Sequence, residues 1–361
     1  VLPTKPVMAI CSGIFLEGKD NNLTLISTDL ENTVKVNLEC EVKEKGQCVV
    51  NGKQFISLIK QLKGKDLEIE KKEKTIEIKE EFSKYTFIEM EVEDFPKIPK
   101  VSSDITFKIK GETLKESFKK VIFCIDPENP KHEYRGGLLD IREKFINIVG
   151  TDTRRLSLFS ILFETPFKKT TRVLLSYSLM KKMINILNEE EVEVSIGKNN
   201  ISFQTNFTKN IGDNKKVTGS VLFISQLLAG VEEFHPNYEK VIPDIKKSKI
   251  SYINTDLLLS SLKRISIFTS EINNKVKLSF KKDFLTISTS GEQGEAVEKI
   301  GISYNDEETE MAFSPDFLID FLQVNEKETF LFAFTSPTKP VLMKPEENSN
   351  FSYVCVTLKT E

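Results

Sequence analysis

Tryptophan is absent from this 361-residue chain, histidine occurs twice, and the five cysteines show no CxxC spacing. Each absence removes a class of chemistry. Cys11, Cys40, Cys48, Cys124 and Cys355 are scattered and odd in number, which argues against a disulfide framework or a zinc site and reads as a reducing compartment. His132 and His235 sit in polar loops, where a solvated or turn-capping imidazole is the ordinary role, so a catalytic triad or a histidine metal centre has almost no material. No apolar run approaches the roughly 20 residues that a membrane-spanning helix requires, and no basic-then-apolar leader opens the sequence, so the expected location is cytoplasmic. A GxxxxGK phosphate loop, a GxGxxG turn, an HExxH helix and a GxSxG elbow are also missing. No metal, cofactor or catalytic residue is expected.

What is present is enough to build cores. Hydrophobic residues make up 39% of the chain, and aromatic packing falls on 26 Phe. Basic and acidic residues nearly cancel, 51 against 54, for a formal net charge of -3. Distribution therefore matters more than total. The segments with helical spacing carry Lys53, Lys60, Lys63 and Lys65; Lys115, Lys119 and Lys120; Lys181 and Lys182; and Lys263 and Arg264, with few acids beside them. Acids gather on strand-like segments and turns such as LEIEKKEKTIEIKEE, NEEEVEV and NDEETE. Helices lining a surface that meets a polyanion, backed by acidic sheets, would produce this separation; lysines that merely solvate exposed helix faces would produce it too. Asp316 and Asp320 place acid on the last helix and weaken the polyanion reading there.

The organising stretch is NIVGTDTRRLSL, Asn147 to Leu158. Ile148 and Val149 read as a buried strand, Gly150-Thr151-Asp152 as a turn, and Leu156 and Leu158 as alternate positions of the next strand. A second Thr-Asp turn, Thr28-Asp29, follows a similar strand near the start. Around the two turns the same grammar recurs. FISLIKQL has the spacing of an amphipathic helix, LEIE, TIEI and YTFIEM alternate as strands, and DFPKIP punctuates. ETLKESFKKVIFCI, VLLSYSLMKKMINIL, VEVSI and NISFQT repeat the scheme and end in EEFHPNYEKVIP. TDLLLSSLKRISIF, KVKLSF, FLTISTS, AFSPDFLIDFL, TFLFAF, PVLMK and YVCVTL make a third pass. A period of about 130 residues is domain-sized, beyond solenoid repeats of roughly 20 to 50. Three related α+β domains, helices against antiparallel sheet, is the expectation. Asp29 and Asp152 could be taken for paired acid-base carboxylates, but as matched positions of a repeat they belong to separate domains.

In the order and spacing of nearly every marker the chain resembles the bacterial sliding clamp, the beta subunit of DNA polymerase III. LTLISTDLENTV, VVNGKQFISLIKQL and EDFPKIP are similar to motifs of that family's first domain. FINIVGTDTRRLSL and FHPNYEKVIP are similar to its second, and MAFSPDFLIDFL, TSPTKPVLM and YVCVTLK to its third. The resemblance implies three clamp domains, 1–102, 103–246 and 247–361, with antiparallel sheets outside and helices lining a ring closed by a head-to-tail homodimer around duplex DNA. The family opens with a strand and helix ahead of the segment matching Val1, which implies that the first domain here lacks them. It implies a non-enzymatic processivity factor whose DNA contacts are sequence-independent. Its partners would be the polymerase III alpha subunit, the clamp loader and repair proteins, all held through short apolar peptides. Carried over, the peptide cleft would comprise Thr151, Thr153, Arg154, Arg155 and Leu156; Pro236, Lys240 and Val241; Ser314 and Phe317; and Val354, Val356, Thr357, Leu358 and Lys359. Leu156, Val241, Val354 and Val356 would hold the peptide's apolar anchors, and Arg154 and Arg155 its backbone or acids. His132, Tyr134 and Arg135 match a loop that touches DNA. The sequence departs from the family where Gly-His is Thr153-Arg154, where MPMRL is VTLKTE, and where lysine stands for arginine at Lys240 and Lys359. Glycine tolerates φ values that threonine resists, so the turn at Thr153 is where strain is expected.

Overall fold

Alternation along Gly13–Lys19 sends Ile14 and Leu16 into one core and Phe15 and Glu17 to the opposite face, the period-2 signature of a strand covered on one side. That strand hairpins onto Asn22–Thr28, which hairpins onto Asn32–Glu39. The computed structural model of the chain describes all residues except 4, 64–65, 100, 102–104, 165–168, 212–214, 233, 235–237, 270–273, 292–293 and 360–361. Pro236 and His235 thus lie outside the described residues.

The described residues form two compact units, Val1–Leu114 with Leu187–Leu227, and Lys115–Ile186 with Leu228–Glu361. The first holds an eight-stranded antiparallel sheet. Its order runs from Gly46–Asn51 through the three strands above to Lys215–Gln226, Asn200–Ile211, Glu191–Ile196 and Ile105–Lys110. A three-stranded sheet, Glu68–Lys71, Thr75–Glu80 and Ser83–Ile88, encloses a core of Ile14, Leu16, Val50, Phe55, Ile76 and Ile78. The second unit holds a twelve-stranded sheet that begins Thr171–Ser176, Gly136–Ile141, Phe145–Thr151, Arg155–Leu162, Phe351–Cys355. Among the described residues there are five α-helices: α1 Gly52–Gln61, α2 Gly111–Ile122, α3 Tyr177–Ile186, α4 Thr255–Ile265 and α5 Pro315–Val324. Their starts follow local chemistry. Asn51 accepts from the Gln54 N–H at the head of α1, Asn254 from Leu257 at α4, and α5 opens on Pro315, whose missing N–H costs nothing in the first turn.

Two strands run well beyond what periodicity shows. Asn200–Ile211 and Lys215–Gln226 pair residue by residue over their full length, but their distal halves, around Thr208 and Thr218, are polar and carry no alternation. Only the proximal ends, with Ile201, Phe203, Phe223 and Ile224 buried, read as core strand.

The repeat holds atom by atom at the Thr-Asp turns. In the first copy Thr28 Oγ1 accepts from Leu30 N (3.1 Å) and donates to Asn32 O (3.1 Å), while Asp29 Oδ1 accepts from Glu31 N (3.1 Å) and Asn32 N (2.6 Å). In the second copy Thr151 Oγ1 accepts from Thr153 N (3.1 Å) and donates to Arg155 O (2.6 Å), and Asp152 Oδ1 accepts from Arg154 N and Arg155 N (both 2.9 Å). Both carboxylates therefore serve backbone donors of their own turns. Leu30 and Thr153 occupy the same place with φ of 77° and 79°. A β-branched side chain in the left-handed region costs about 1–2 kcal/mol. The strain expected at Thr153 is thus real, and the turn's four hydrogen bonds hold it. Thr153→Gly should raise stability by about 0.5 kcal/mol, the steric cost less the chain entropy that Gly loses on ordering, read as a higher urea midpoint.

Candidate functional site

Leu156 enters the strand after the second turn, opposite Thr151 on one side and Val354 on the other. Alternation then buries Leu158 on the same face. Leu156, Leu158 and Val354 join one apolar cluster with Val149, Leu174, Phe234, Tyr238 and Leu342. Packed against that cluster but only partly buried are Leu228, Val231, Val241 and Ile242. Partly covered aliphatic side chains around a buried floor are the composition of a groove that takes another apolar group. The sequence-chosen residues Leu156, Val241 and Val354 are brought together here; Leu174, Leu228 and Val231 were not foreseen.

The remaining cleft residues reach the site by other routes. Val356 N donates to Arg154 O (3.1 Å), so the C-terminal segment continues beside the turn, and Leu358 N donates to Ala312 O (2.7 Å), just ahead of Ser314 and α5. Val356, Thr357, Leu358, Ser314 and Phe317 are half-buried, whereas Thr153, Arg154, Lys240 and Lys359 are exposed.

Arg155 departs from its expected role. Its side chain is 13% exposed, and all three guanidinium nitrogens are engaged. Nε donates to Asp152 Oδ2 (3.0 Å), Nη1 to Asp320 Oδ2 of α5, and Nη2 to the Phe123 carbonyl (2.8 Å). The guanidinium carbon also lies 4.5 Å from the centroid of the Phe317 ring. Burial works against its charge, but the surrounding groups, the Asp320 and Asp152 carboxylates among them, more than reverse that effect and the pKa is raised. Arg155 therefore braces its turn against the end of α2 and against α5, and of the two arginines only Arg154 is exposed. The acid that seemed out of place on the last helix, Asp320, is this brace's partner.

A second buried network fixes the segment Tyr238–Val241, which carries Lys240 and Val241. The Tyr238 hydroxyl donates to Asp140 Oδ2 (2.8 Å) and accepts from Asn147 Nδ2 (2.7 Å) and Arg142 Nη2 (3.3 Å). Burial, with Asp140 beside it, pushes the phenol pKa well up, so it stays a neutral donor. The signal for this network was in the sequence: Asp140 and Asn147 are lone polar residues inside the apolar runs LLDI and INIV, and such residues are buried only with partners.

The residues matched to DNA contacts divide. Lys53, Lys60, Lys119, Lys181 and Lys263 are exposed on their helices, and His132 is exposed in its loop. Lys182 is half-buried. Arg264 is exposed but paired with Glu298 through two contacts of 2.7 and 2.6 Å. Lys120 is buried, its ammonium bonded to the Val324 carbonyl and to Glu326, because α2 presents that side to the protein. Tyr134 is buried against Phe234, and Arg135 Nε donates to Asn129 O (2.6 Å). Lys120 and Tyr134 are thus core and bracing residues, not surface ones.

Among the described residues no group of three or more His, Cys, Asp and Glu could hold a metal ion, and all five cysteines are free thiols. Burial raises the Cys124 pKa and pushes that of Cys355 up to about 12, so both thiols beside the cleft stay protonated and poorly nucleophilic at neutral pH. No described helix is long and apolar enough to cross a membrane.

Residues 1–99 match the family model for the DNA polymerase III beta subunit, N-terminal domain, and residues 239–359 the model for its C-terminal domain. The chain belongs to the beta-subunit family of DNA polymerase III. The beta sliding clamp of Chlamydia pneumoniae is 25% identical over 97% of this chain and 92% of its own length. That of Rickettsia felis is 26% identical over 99% and 94%. The crystal structure of the DNA polymerase III subunit beta from Pseudomonas aeruginosa superposes with a TM-score of 0.89 at 22% identity, covering 99% of this chain and 94% of that one. A sliding clamp from the same organism bound to griselimycin gives the same score. The fold is the sliding-clamp fold, rich in sheet with few helices, and the chain is a clamp of the replication machinery.

If Arg155 braces the fold, Arg155→Ala should lower the unfolding free energy by about 3 kcal/mol, because two carboxylates lose a largely buried partner. Asp320→Asn should cost about 1 kcal/mol, since Asp152 remains. Chemical denaturation reads both; an unchanged midpoint for Arg155→Ala would return that arginine to the peptide.

Proposed function

We propose that two copies of this chain close head to tail into a ring around duplex DNA, and that the ring tethers replication and repair proteins without catalysing a reaction. The observation that carries this reading is a strand-pairing rule. The third strand of the first repeat, Asn32–Glu39, pairs with Lys215–Gln226, the last strand of the second repeat. The third strand of the second, Arg155–Leu162, pairs with Phe351–Cys355, the last strand of the third. By the same rule the third strand of the third repeat, Gly294–Ser303, needs a last strand, and Ser83–Ile88, the last strand of the first repeat, needs a third. Among the described residues, Gly294–Ile300 and Ser83–Ile88 each have a neighbour on one side only. Open edges of this kind invite pairing with another chain. Ile88 is 82% exposed, Val297 67% and Ile267 70%, apolar surface that a second copy would cover. Two such contacts close a two-fold ring.

Domains of 1–102, 103–246 and 247–361 follow from the repeat, in the cytoplasm of the cell. Exposed lysines on α1 to α4, Lys53, Lys60, Lys119, Lys181 and Lys263, would meet phosphates, together with the half-buried Lys182 and the exposed His132 in its loop. Such contacts are sequence-independent and weaken with salt, which suits a ring that slides. The groove floored by Leu156 and Val354 and walled by Val241 would take the apolar anchors of short peptides from the polymerase alpha subunit, the clamp loader and repair proteins. Arg154, Lys240 and Lys359 would stand at its rim. Tethering converts each rebinding into an intramolecular event at high effective concentration.

Three outcomes are expected. The purified chain should be dimeric by light scattering, and Val297→Asp with Ile88→Asp should reduce the mass to that of one chain. The loaded protein should stay on nicked circular DNA and run off once the circle is cut; retention on linear DNA would refute encirclement. Leu156→Ala should weaken a clamp-binding peptide at least tenfold by calorimetry with the dimer intact.

A further inference from the structure

The two Thr-Asp hairpins match with a constant offset of 123 residues. Phe15 pairs with Ile26 as Leu138 pairs with Val149, and Glu17 with Thr24 as Asp140 with Asn147. On the flanking strand Glu17 lies opposite Gln47 as Asp140 lies opposite Arg172. The face made by Leu138, Asp140, Asn147, Val149 and Leu158 is the one on which Tyr238 is seated, 1% exposed, with its hydroxyl on Asp140 and Asn147. Its counterparts are Phe15, Glu17, Thr24, Ile26 and Lys35.

In the first repeat those five residues, with Gln47, floor an open pocket of about 370 Å³ bordered by the segment Val92–Ile98. That volume is within the range of small-ligand pockets. The reason it is open lies in the connecting segments. After Phe234 the second repeat supplies Tyr238 four residues on; after Phe95 the first runs Pro96-Lys97-Ile98-Pro99 and offers no aromatic residue before Phe107. Phe107 is buried in the strand Ile105–Lys110. The floor keeps the chemistry of its counterpart: Phe15 and Ile26 give an apolar base, the Glu17 carboxylate stands where Asp140 accepts, and Lys35 and Gln47 add donors. No hydrogen bond or ion pair engages the Glu17 or Lys35 side chain among the described residues. The Thr24 hydroxyl donates to Asn37 (2.9 Å) and keeps a lone pair free.

We propose that this cavity is a second recognition site, which accepts a tyrosine side chain presented by a segment of a partner protein. The ring lies on Ile26 beside the paired rings of Phe15 and Phe95, whose centroids are 5.4 Å apart, and its hydroxyl donates to Glu17 and accepts from Lys35. Phenylalanine binds less well, because it leaves the carboxylate's desolvation uncompensated. The site shares no residue with the cleft around Leu156, so its fate is independent of that assignment.

The test uses the full chain with 13C-labelled isoleucine methyls and N-acetyl-L-tyrosinamide as probe, with N-acetyl-L-phenylalaninamide as comparison. Saturable shifts of the Ile26 and Ile98 methyls are expected with the tyrosine probe, at an affinity at least threefold above that of the phenylalanine probe. The preference should shrink to less than 1.5-fold in Glu17→Leu. Absence of saturable shifts at these two methyls would overturn the site, and equal affinity for the two probes in the unaltered protein would overturn its assignment to a phenol. The same titration on Leu156→Ala should be unchanged; loss of the shifts there would show that the probe reads the cleft instead.

Discussion

One largely buried cation, Arg155, ties three segments of the second unit together. Arg155 joins the Thr-Asp turn that precedes it, the end of α2 at Phe123, and α5 at Asp320, three segments distant in sequence. A largely buried guanidinium is costly to desolvate, and only the two carboxylates, the carbonyl and the Phe317 face make that position tolerable. The orientation it imposes aims Leu156 at the apolar floor and leaves Arg154 pointing outward. The first repeat solves the same problem without charge: Asn32, the equivalent residue, bonds back to Asp29 and accepts from Ser225 on the neighbouring strand (2.9 Å). One backbone turn thus serves as a fixed socket, and the third residue after its aspartate decides what is docked to it.

The same economy governs the sheet. A turn that ends one strand and begins the next at fixed register leaves the third strand with an open edge, and the fold fills that edge with the last strand of the following repeat. Three repeats in an open chain leave one third strand and one last strand over. The proposed closure by a second copy would complete both edges, and it would give exposed Ile88 and Val297 a physical reason.

Much of this was readable in advance. The Thr-Asp turns, the five helices and most strands follow from period, capping residues and turn chemistry, and the left-handed strain at Thr153 follows from a threonine where the turn wants glycine. The strand position of Leu156 was legible from its alternation with Leu158, whereas Val241, Val354 and Val356 came from the family resemblance alone. What could not be read was the direction of long polar side chains. Lys120 has the sequence context of a surface lysine, yet α2 turns it inward to Val324 and Glu326. Tyr134 lies in a polar loop, yet its ring is in the core.

By itself, then, the sequence determined the local grammar: the recurring turns and their α+β character, since each depends on neighbours within a few residues. Tertiary structure alone decided which charges are free. Whether Arg155 serves a ligand or the fold depends on Asp320, 165 residues away. Whether a pocket stands open depends on whether a connecting segment returns a second ring to its own sheet, as Tyr238 does after Phe234 and no residue does after Phe95. Such partners are set by how elements pack, and packing is a property of the folded chain.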